Sequence, residues 1–294
     1  MRRYFLLGFV LQFFILQFSV VEAQNRDSLL FAKGNWRVDT VDGLVLKRVQ
    51  FLNHDCIGAN QYVCVLEIPP QSPYELAFSY EPRRTPTSKH AIKHKATAAV
   101  NGSYFDMSYH NPICYLRIDG KEVGENTPQL SDTVHRKYYQ YGSMRLKAGR
   151  PVIFIPDSAR NAERALPDSN IMTAGPLLIF QDSVIPQRND KTFVTARHNR
   201  TAIGVKRDGT VLLVTVDGRM KLSEGCSLQD FTKILQLLNC YDALNLDGGG
   251  STTMYVKGYP YGGVVNHPTD NNRYDFAGER GVSNCVLVKK KTVK

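Results

Sequence analysis

The chain alternates short apolar runs with turn signals, and the period of each run sets the element it predicts. Leu44, Leu46, Val49 and Phe51 mark an early strand over 43–51. Residues 62–68 give a second strand, stopped by Pro69-Pro70, and 74–80 a third. Thr85-Pro86-Thr87 reads as a helix start and predicts a short helix over 88–95. The small-residue strand 97–100 runs into the turn Asn101-Gly102-Ser103-Tyr104-Phe105-Asp106. Further strands are predicted over 151–155 and 173–179, and the polar, basic stretch 187–200 predicts a long loop. The clearest hairpin couples 201–206 to 210–216 through Arg207-Asp208-Gly209 and ends in Asp217-Gly218-Arg219. Ser227 caps a helix over 228–239 whose Phe231, Ile234, Leu235 and Leu238 share one face. A buried strand over 241–246 ends in Asp247-Gly248-Gly249-Gly250, and strands over 251–257 and 281–289 complete the pattern. Strands outnumber helices, and hairpin signals outnumber βαβ units. The predicted fold is α+β: a single domain with a mixed, largely antiparallel β-sheet core and a few helices.

The first residues follow another pattern. Arg2-Arg3 precede an apolar stretch over 4–21, interrupted only by Gln12 and Gln17, and Val21-Glu22-Ala23 suits a signal peptidase. The expectation is a cleaved signal peptide over 1–23 and an exported protein, periplasmic or extracellular, with no stable membrane insertion after cleavage. An uncleaved anchor is the rival, because the stretch is near the length of the shortest spanning helix. Residues 24–85 are then an N-terminal strand-rich segment packed on a catalytic domain over 86–294. Lys and Arg total 37 against 27 Asp and Glu, a net charge of +10 at pH 7 that favours acidic ligands. These basic residues are scattered and match no nucleic-acid-binding motif, so nucleic acid is not an expected partner. Six Cys permit disulfides, with Cys56/Cys64 and Cys226/Cys240 as the local pairings, although a domain this long does not need them. No Cys/His spacing suggests zinc. No motif requires a cofactor; a divalent metal on the carboxylates is compatible with the sequence, with no ligands assigned.

Five polar clusters fall at strand ends, where they can converge on one cleft. The first is Asp247-Gly248-Gly249-Gly250-Ser251-Thr252. Three glycines after an apolar strand let the backbone approach a ligand closely, and successive N–H groups in such a turn can form an anion-binding nest. No Lys follows them as a nucleotide P-loop requires. As a bare segment, a tight structural turn explains them about equally well. The second cluster is Arg200-Thr201, where an arginine can hold a phosphate at two points. The others are Asp217-Gly218-Arg219, Asn101 with Tyr104 and Asp106, and Gly278-Glu279-Arg280. Each alone reads as well as a turn or a surface charge.

In order along the chain, these segments closely resemble the phosphodiester glycosidase family. The resemblance rests on Gly225-Cys226-Ser227-Leu228 and its helix, followed by Asn245-Leu246-Asp247-Gly248-Gly249-Gly250-Ser251-Thr252. It extends to Asn101-Gly102-Ser103-Tyr104-Phe105, Thr173-Ala174-Gly175-Pro176, Arg200-Thr201-Ala202-Ile203-Gly204, Asp217-Gly218-Arg219 and Asn284, and covers about residues 90–290. One departure is His198-Asn199 before Arg200, where the family pattern has a Pro nearby. The resemblance implies hydrolysis of a sugar-1-phosphodiester at the anomeric carbon. The substrate would be a small molecule or glycan carrying a sugar-1-phosphate linkage. A phosphate leaves without much help from an acid but needs positive cover, which Arg200, Arg219 and the amides of Gly248, Gly249 and Gly250 could give. The oxocarbenium-like carbon needs a carboxylate, with Asp247 the first choice, then Glu279 and Asp217, and Asp106 behind them. Asn101, Tyr104, Asp106, Arg200, Thr201, Arg219, Ser251 and Thr252 are the expected substrate-binding residues. The alternative is a non-catalytic glycan-binding protein on the same fold.

Overall fold

The computed structural model describes residues 26–128, 136–187 and 192–291. The expected signal peptide therefore lies outside the described residues. Within them no helix is long and apolar enough to cross a membrane.

The hairpin's alternation serves two cores at once. Strands β13 (Arg200–Val205) and β14 (Val211–Val216) pair from Arg200↔Val216 to Val205↔Val211. Val211 and Leu213 point into one core; Leu212, Val214 and Val216 point into a second. Strand β3 (Gln61–Ile68), beside β14, divides likewise: Cys64, Leu66 and Ile68 against Val63 and Val65. A strand buried on both faces reads as a continuous apolar run, as 211–214 does. These three lie inside an eight-stranded sheet. From its outer edge come β1 (Arg37–Val41) and β2 (Leu44–Phe51), then β3, β14 and β13, then β15 (Asp242–Asn245), β11 (Leu177–Phe180) and β12 (Ser183–Val184).

Besides the short turn that contributes Val194, two helical segments border the second core. One is the described helix over 26–32, α1, through Phe31. The other is α4 (Leu228–Leu237), which buries Leu228, Phe231, Ile234 and Leu235 completely, about 1.5–3 kcal/mol for each side chain. Its start is the cap read from sequence: Ser227 Oγ accepts from the Asp230 N–H at 3.0 Å, and Asp230 Oδ2 accepts from the Ser227 N–H at 3.4 Å.

Two smaller sheets cover the first core. One orders β16 (Met254–Val256), β5 (Ala98–Asn101), β17 (Gly281–Lys290) and β4 (Tyr74–Pro86). The other orders β7 (Lys121–Gly124), β6 (Leu116–Ile118), β10 (Ile171–Thr173), β8 (Ser143–Lys147) and β9 (Arg150–Phe154). Tyr74, Phe78, Val100, Val286, Leu116, Met144 and Met172 meet Leu66, Ile203 and Leu213 there. Helix α2 (Thr87–Lys93) closes the far face of the four-stranded sheet, setting Ala91 with Ala99, Cys285 and Leu287. The N-terminal segment is woven through the molecule: β2 and β3 belong to the large sheet, and β4 pairs along β17. Every ladder between these strands is antiparallel, and an isolated Thr269–Gly278 bridge is parallel. The fold is the α+β class expected from the sequence.

Four local expectations change. The strand read over 173–179 is two strands, β10 and β11, in different sheets. Pro176 between them has no N–H for a ladder, and the Gly175 carbonyl faces Tyr104 and Asn245 instead. Strand β4 runs to Pro86 rather than Tyr80, across a register shift between the pairs Asn284↔Tyr80 and Val282↔Thr85. The 187–200 loop contains a helical turn, α3 (Thr192–Thr195). All six cysteines are free and buried. Cys56 and Cys64 belong to different cores. Cys226 and Cys240 lie at opposite ends of the ten-residue α4, roughly 15 Å of helix apart and beyond disulfide reach.

Candidate active site

The antiparallel pairing gathers the motifs at one edge. Arg200 at the start of β13 lies opposite Val216, so Asp217 follows there, and Ala202 lies opposite Asn245, so Asp247 follows beside it. The end of β5 pairs with β17 at Asn101↔Cys285. The two sheets are then stitched together. The Asp247 N–H donates to the Gly102 carbonyl at 3.0 Å, and Asn101 Nδ2 donates to the Asp247 carbonyl at 2.6 Å. Thr201 Oγ1 donates to Asn101 Oδ1 at 2.9 Å and meets Thr252 Oγ1 at 3.2 Å. Asn101, Thr201 and Thr252 have no exposed surface. They hold the backbone of Asp247 from behind.

The triple glycine answers a packing demand. A Cβ on Gly248 would stand 2.7 Å from the Asn199 carbonyl oxygen, and one on Gly249 2.9 Å from Arg219 Nη2. One on Gly250 would stand 2.5 Å from Asp270 Oδ1 and overlap the Arg280 guanidinium. The glycines let two arginines close on the loop. They do not open a nest, because most of the amides serve the loop itself. Gly248 N–H donates to Asp247 Oδ1 at 2.8 Å, Gly249 to Asn199 O, Ser251 to Gly248 O, and Thr252 to Gly249 O. Positive charge at this edge therefore comes from side chains.

Those side chains are Arg219 and Arg280. Arg219 is exposed, sits at φ 63, and its guanidinium has no hydrogen-bond partner among the described residues. Arg280 is aimed by Asp270, whose Oδ1 accepts from Nε at 3.0 Å and Nη2 at 2.6 Å. Between them Asp247 is half-buried. Burial raises its carboxyl to about 6, against the opposing pull of Ser251, the Gly248 N–H, Arg280 and Arg219. Tyr104 forms an adjoining wall. Its hydroxyl donates to Gly175 O at 2.7 Å and receives Asn245 Nδ2 at 2.8 Å; burial, reinforced by Asp247, holds its phenol well above the usual range.

The other expected residues do different work. Asp217 is sealed in: Oδ1 accepts from Asn266 Nδ2 at 2.8 Å, and Oδ2 takes the His267 N–H at 2.7 Å and lies 2.9 Å from its Nδ1. It anchors the 266–267 segment and offers no open face. Glu279 accepts from the N–H and Oγ of Ser88, at 2.9 and 2.5 Å, and burial raises its carboxyl. It holds the first turn of α2, while the next residue, Arg280, lies against the glycine loop at Gly250. Successive residues of an extended chain point to opposite sides, and that alternation could have found Arg280. Arg200 gives Nε to Cys226 O at 3.0 Å and Nη2 to Phe193 O and Ala196 O at 2.9 and 3.0 Å. It ties α3 to the sheet, and burial pulls its guanidinium below the usual arginine range. Asp106 caps its own turn, accepting from the Ser108 and Tyr109 N–H groups at 2.7 Å each, which lowers its carboxyl. Asp270, Asn266 and Asn199 were not among the sequence candidates, and no motif signal marks them.

Comparison with known proteins places this architecture. The phosphodiester glycosidase family model matches residues 94–289. A SPbeta prophage-derived uncharacterized protein YomE of Bacillus subtilis is 31% identical over 126 residues, 41% of this chain and 18% of that protein. The N-acetylglucosamine-1-phosphodiester alpha-N-acetylglucosaminidase of Mus musculus is 34% identical over 79 residues, 27% of this chain and 14% of that protein. The matched stretches thus span under a fifth of these relatives. The catalytic domain of the zebrafish N-acetylglucosamine-1-phosphodiester alpha-N-acetylglucosaminidase, solved as a form auto-inhibited by its pro-peptide, shares the fold. Its TM-score is 0.63 at 19% identity, over 84% of this chain and 83% of that one. A putative exported protein of Burkholderia pseudomallei superposes with TM-score 0.54 at 18% identity, over 79% of this chain and 74% of that one. With a family model that matches most of its length, in the order its strand-end motifs follow, the chain belongs to the phosphodiester glycosidase family.

Proposed function

We propose that this protein is an exported enzyme that hydrolyses a sugar-1-phosphodiester, of the GlcNAc-1-phosphodiester kind, at the anomeric carbon. The products are the free sugar and a phosphate monoester. One observation carries the reading: Asp247 presents a half-buried carboxyl, raised to about 6, at the joint of two sheets and between Arg219 and Arg280. Ionised Asp247 faces the anomeric carbon and serves as nucleophile or as base for water. Arg219 and Arg280 cover the phosphate as its charge grows, with Asp270 fixing Arg280 beforehand. A departing phosphate needs no strong proton donor. One open carboxylate therefore suffices, which accords with Asp217 and Glu279 being occupied elsewhere.

The test is release of free sugar from an α-GlcNAc-1-phosphodiester by the purified chain. Turnover is expected to rise with pH through about 6 as Asp247 ionises. Asp247→Asn should abolish it in a protein that still folds. Arg219→Ala, at an exposed and unpartnered side chain, should lower kcat/KM by about 10²–10³ without lowering Tm. A folded wild-type chain that turns over no sugar-1-phosphodiester would falsify the assignment.

A further inference from the structure

Away from the cleft, a second set of chemically capable side chains meets on the far face of the four-stranded sheet. His90 and His94 are four residues apart at the end of α2, the spacing that puts two imidazoles on one face of a helix and serves metal ligation elsewhere. Facing them is Glu81, carried by the part of β4 where the register with β17 shifts, between the pairs Asn284↔Tyr80 and Val282↔Thr85. We propose that Glu81, His90 and His94 form a binding site for a divalent metal of the zinc class, one that staples β4 to α2.

The geometry is close to what such an ion needs. One ligand atom from each residue lies within 4.8 Å of the other two. His94 Nε2 stands 3.4 Å from Glu81 Oε1, near the separation of about 3.3 Å between neighbouring ligands on a tetrahedral zinc. Both ring nitrogens of His90 have partners, so the one that turns to the ion gives its partner up while the other keeps the ring fixed. Ser79 Oγ lies 2.9 Å from Nδ1 and the Val282 carbonyl 3.3 Å from Nε2. Ligating histidines are ordinarily held this way by a second hydrogen bond. Two imidazoles and one carboxylate suit zinc and its borderline neighbours; magnesium and calcium want oxygen. Three protein ligands leave the fourth position to water.

Beyond the hydrogen bond that His90 gives up, a cation opposes the ion. Lys93 Nζ lies 2.7 Å from Glu81 Oε2 and supplies the positive charge that a metal would bring. Its side chain is 62% exposed, so it can swing into solvent with little loss of packing. Metal and ammonium thus compete for one carboxylate. The staple also bears on the cleft, because the first turn of α2 holds Glu279 through Ser88, and Arg280 is the next residue.

The experiment is zinc titration of the untagged, chelator-stripped full chain against a chromophoric chelator, with the Co²⁺ absorption spectrum as a readout of geometry. One zinc per chain is expected, with a tetrahedral Co²⁺ spectrum and a higher Tm on zinc addition. His94→Ala, at a side chain only 33% exposed but outside the fully buried core, and Glu81→Gln should each weaken binding by about a hundredfold or more. Lys93→Ala should tighten it, because the competing ammonium is gone. His54→Ala, which removes the surface His54–Glu224 pair, controls for adventitious surface binding and should change nothing. No zinc uptake by the folded wild type, uptake that survives His94→Ala, or Lys93→Ala binding no tighter than wild type would each overturn the proposal.

Discussion

Asp247 is kept where its charge is costly. Its carboxyl is raised to about 6, above its ordinary value of 3.8, chiefly by burial. A raised folded-state pKa means that the native protein holds the proton more tightly than the unfolded chain. The stability this provides is complete below about pH 4 and disappears as pH rises through about 6. Asp247→Asn keeps the shape and removes the ionisation. Its stability relative to wild type should therefore climb between about pH 4 and 6 and level off about 1–3 kcal/mol higher. Thermal melts of both proteins across that range check this, and a difference independent of pH would show that burial does not govern Asp247. On the proposed function, the ionisation that would switch turnover on is the one that costs stability, the trade expected of a residue kept for chemistry. Much at this scale was legible in the sequence. Asp247, Asn101, Thr201 and Thr252 stand together as the motifs suggested. Asp217 and Glu279 carry the same chemical type as Asp247, but Asn266, His267 and Ser88 occupy their oxygens. Those partners are far away in sequence, so no local pattern announces them.

Among the elements, the five-stranded sheet depends on one buried pair. Arg136 Nη1 and Nη2 donate to the two oxygens of Glu163 at 2.8 and 2.6 Å, and both side chains are fully buried. Glu163 Oε1 also accepts from Ser143 Oγ on β8 and Thr173 Oγ1 on β10, at 2.6 Å each. Glu163→Gln leaves the Arg136 charge buried without its counter-ion. A loss of about 3–5 kcal/mol is expected by denaturant unfolding, with kcat of the remaining folded protein unchanged. A loss below about 1 kcal/mol would mean that water reaches the pair. The elements were more legible in the sequence than their ends. The β13–β14 hairpin was legible from the Asp208-Gly209 turn between two apolar runs, and α4 from its Ser227 cap and helical period. The split of 173–179 was not, because an apolar run broken by Gly-Pro reads the same whether its halves join one sheet or two.

For the molecule as a whole, burial makes cross-linking unnecessary. Six free thiols lie in the cores, and burial pushes Cys56, Cys226 and Cys240 up to about 12. A thiol reagent should leave the native chain untouched and label six positions after denaturation, while reductant should not shift Tm. Fewer than six labelled would reinstate a disulfide. The α+β class was legible from the balance of hairpins and helices. The three-sheet arrangement was not, since ladders such as β14 with β3 and β17 with β4 join segments far apart in the chain.

The place of β17 has a consequence for how the protein comes into being. Of the four strands in its sheet it is the last to be translated, yet it lies between β5 and β4. A nascent chain still lacking residues 281–290 holds two strands with facing open edges and nothing to join them. The same chain lacks Asn284, whose side chain receives the Ser103 N–H at the turn after β5, and Arg280 has no strand to fix it. Assembly of the site therefore waits until residues 281–290 have been made, and a chain stopped before them cannot bring the turn after β5 and the Asp247 loop together in this arrangement.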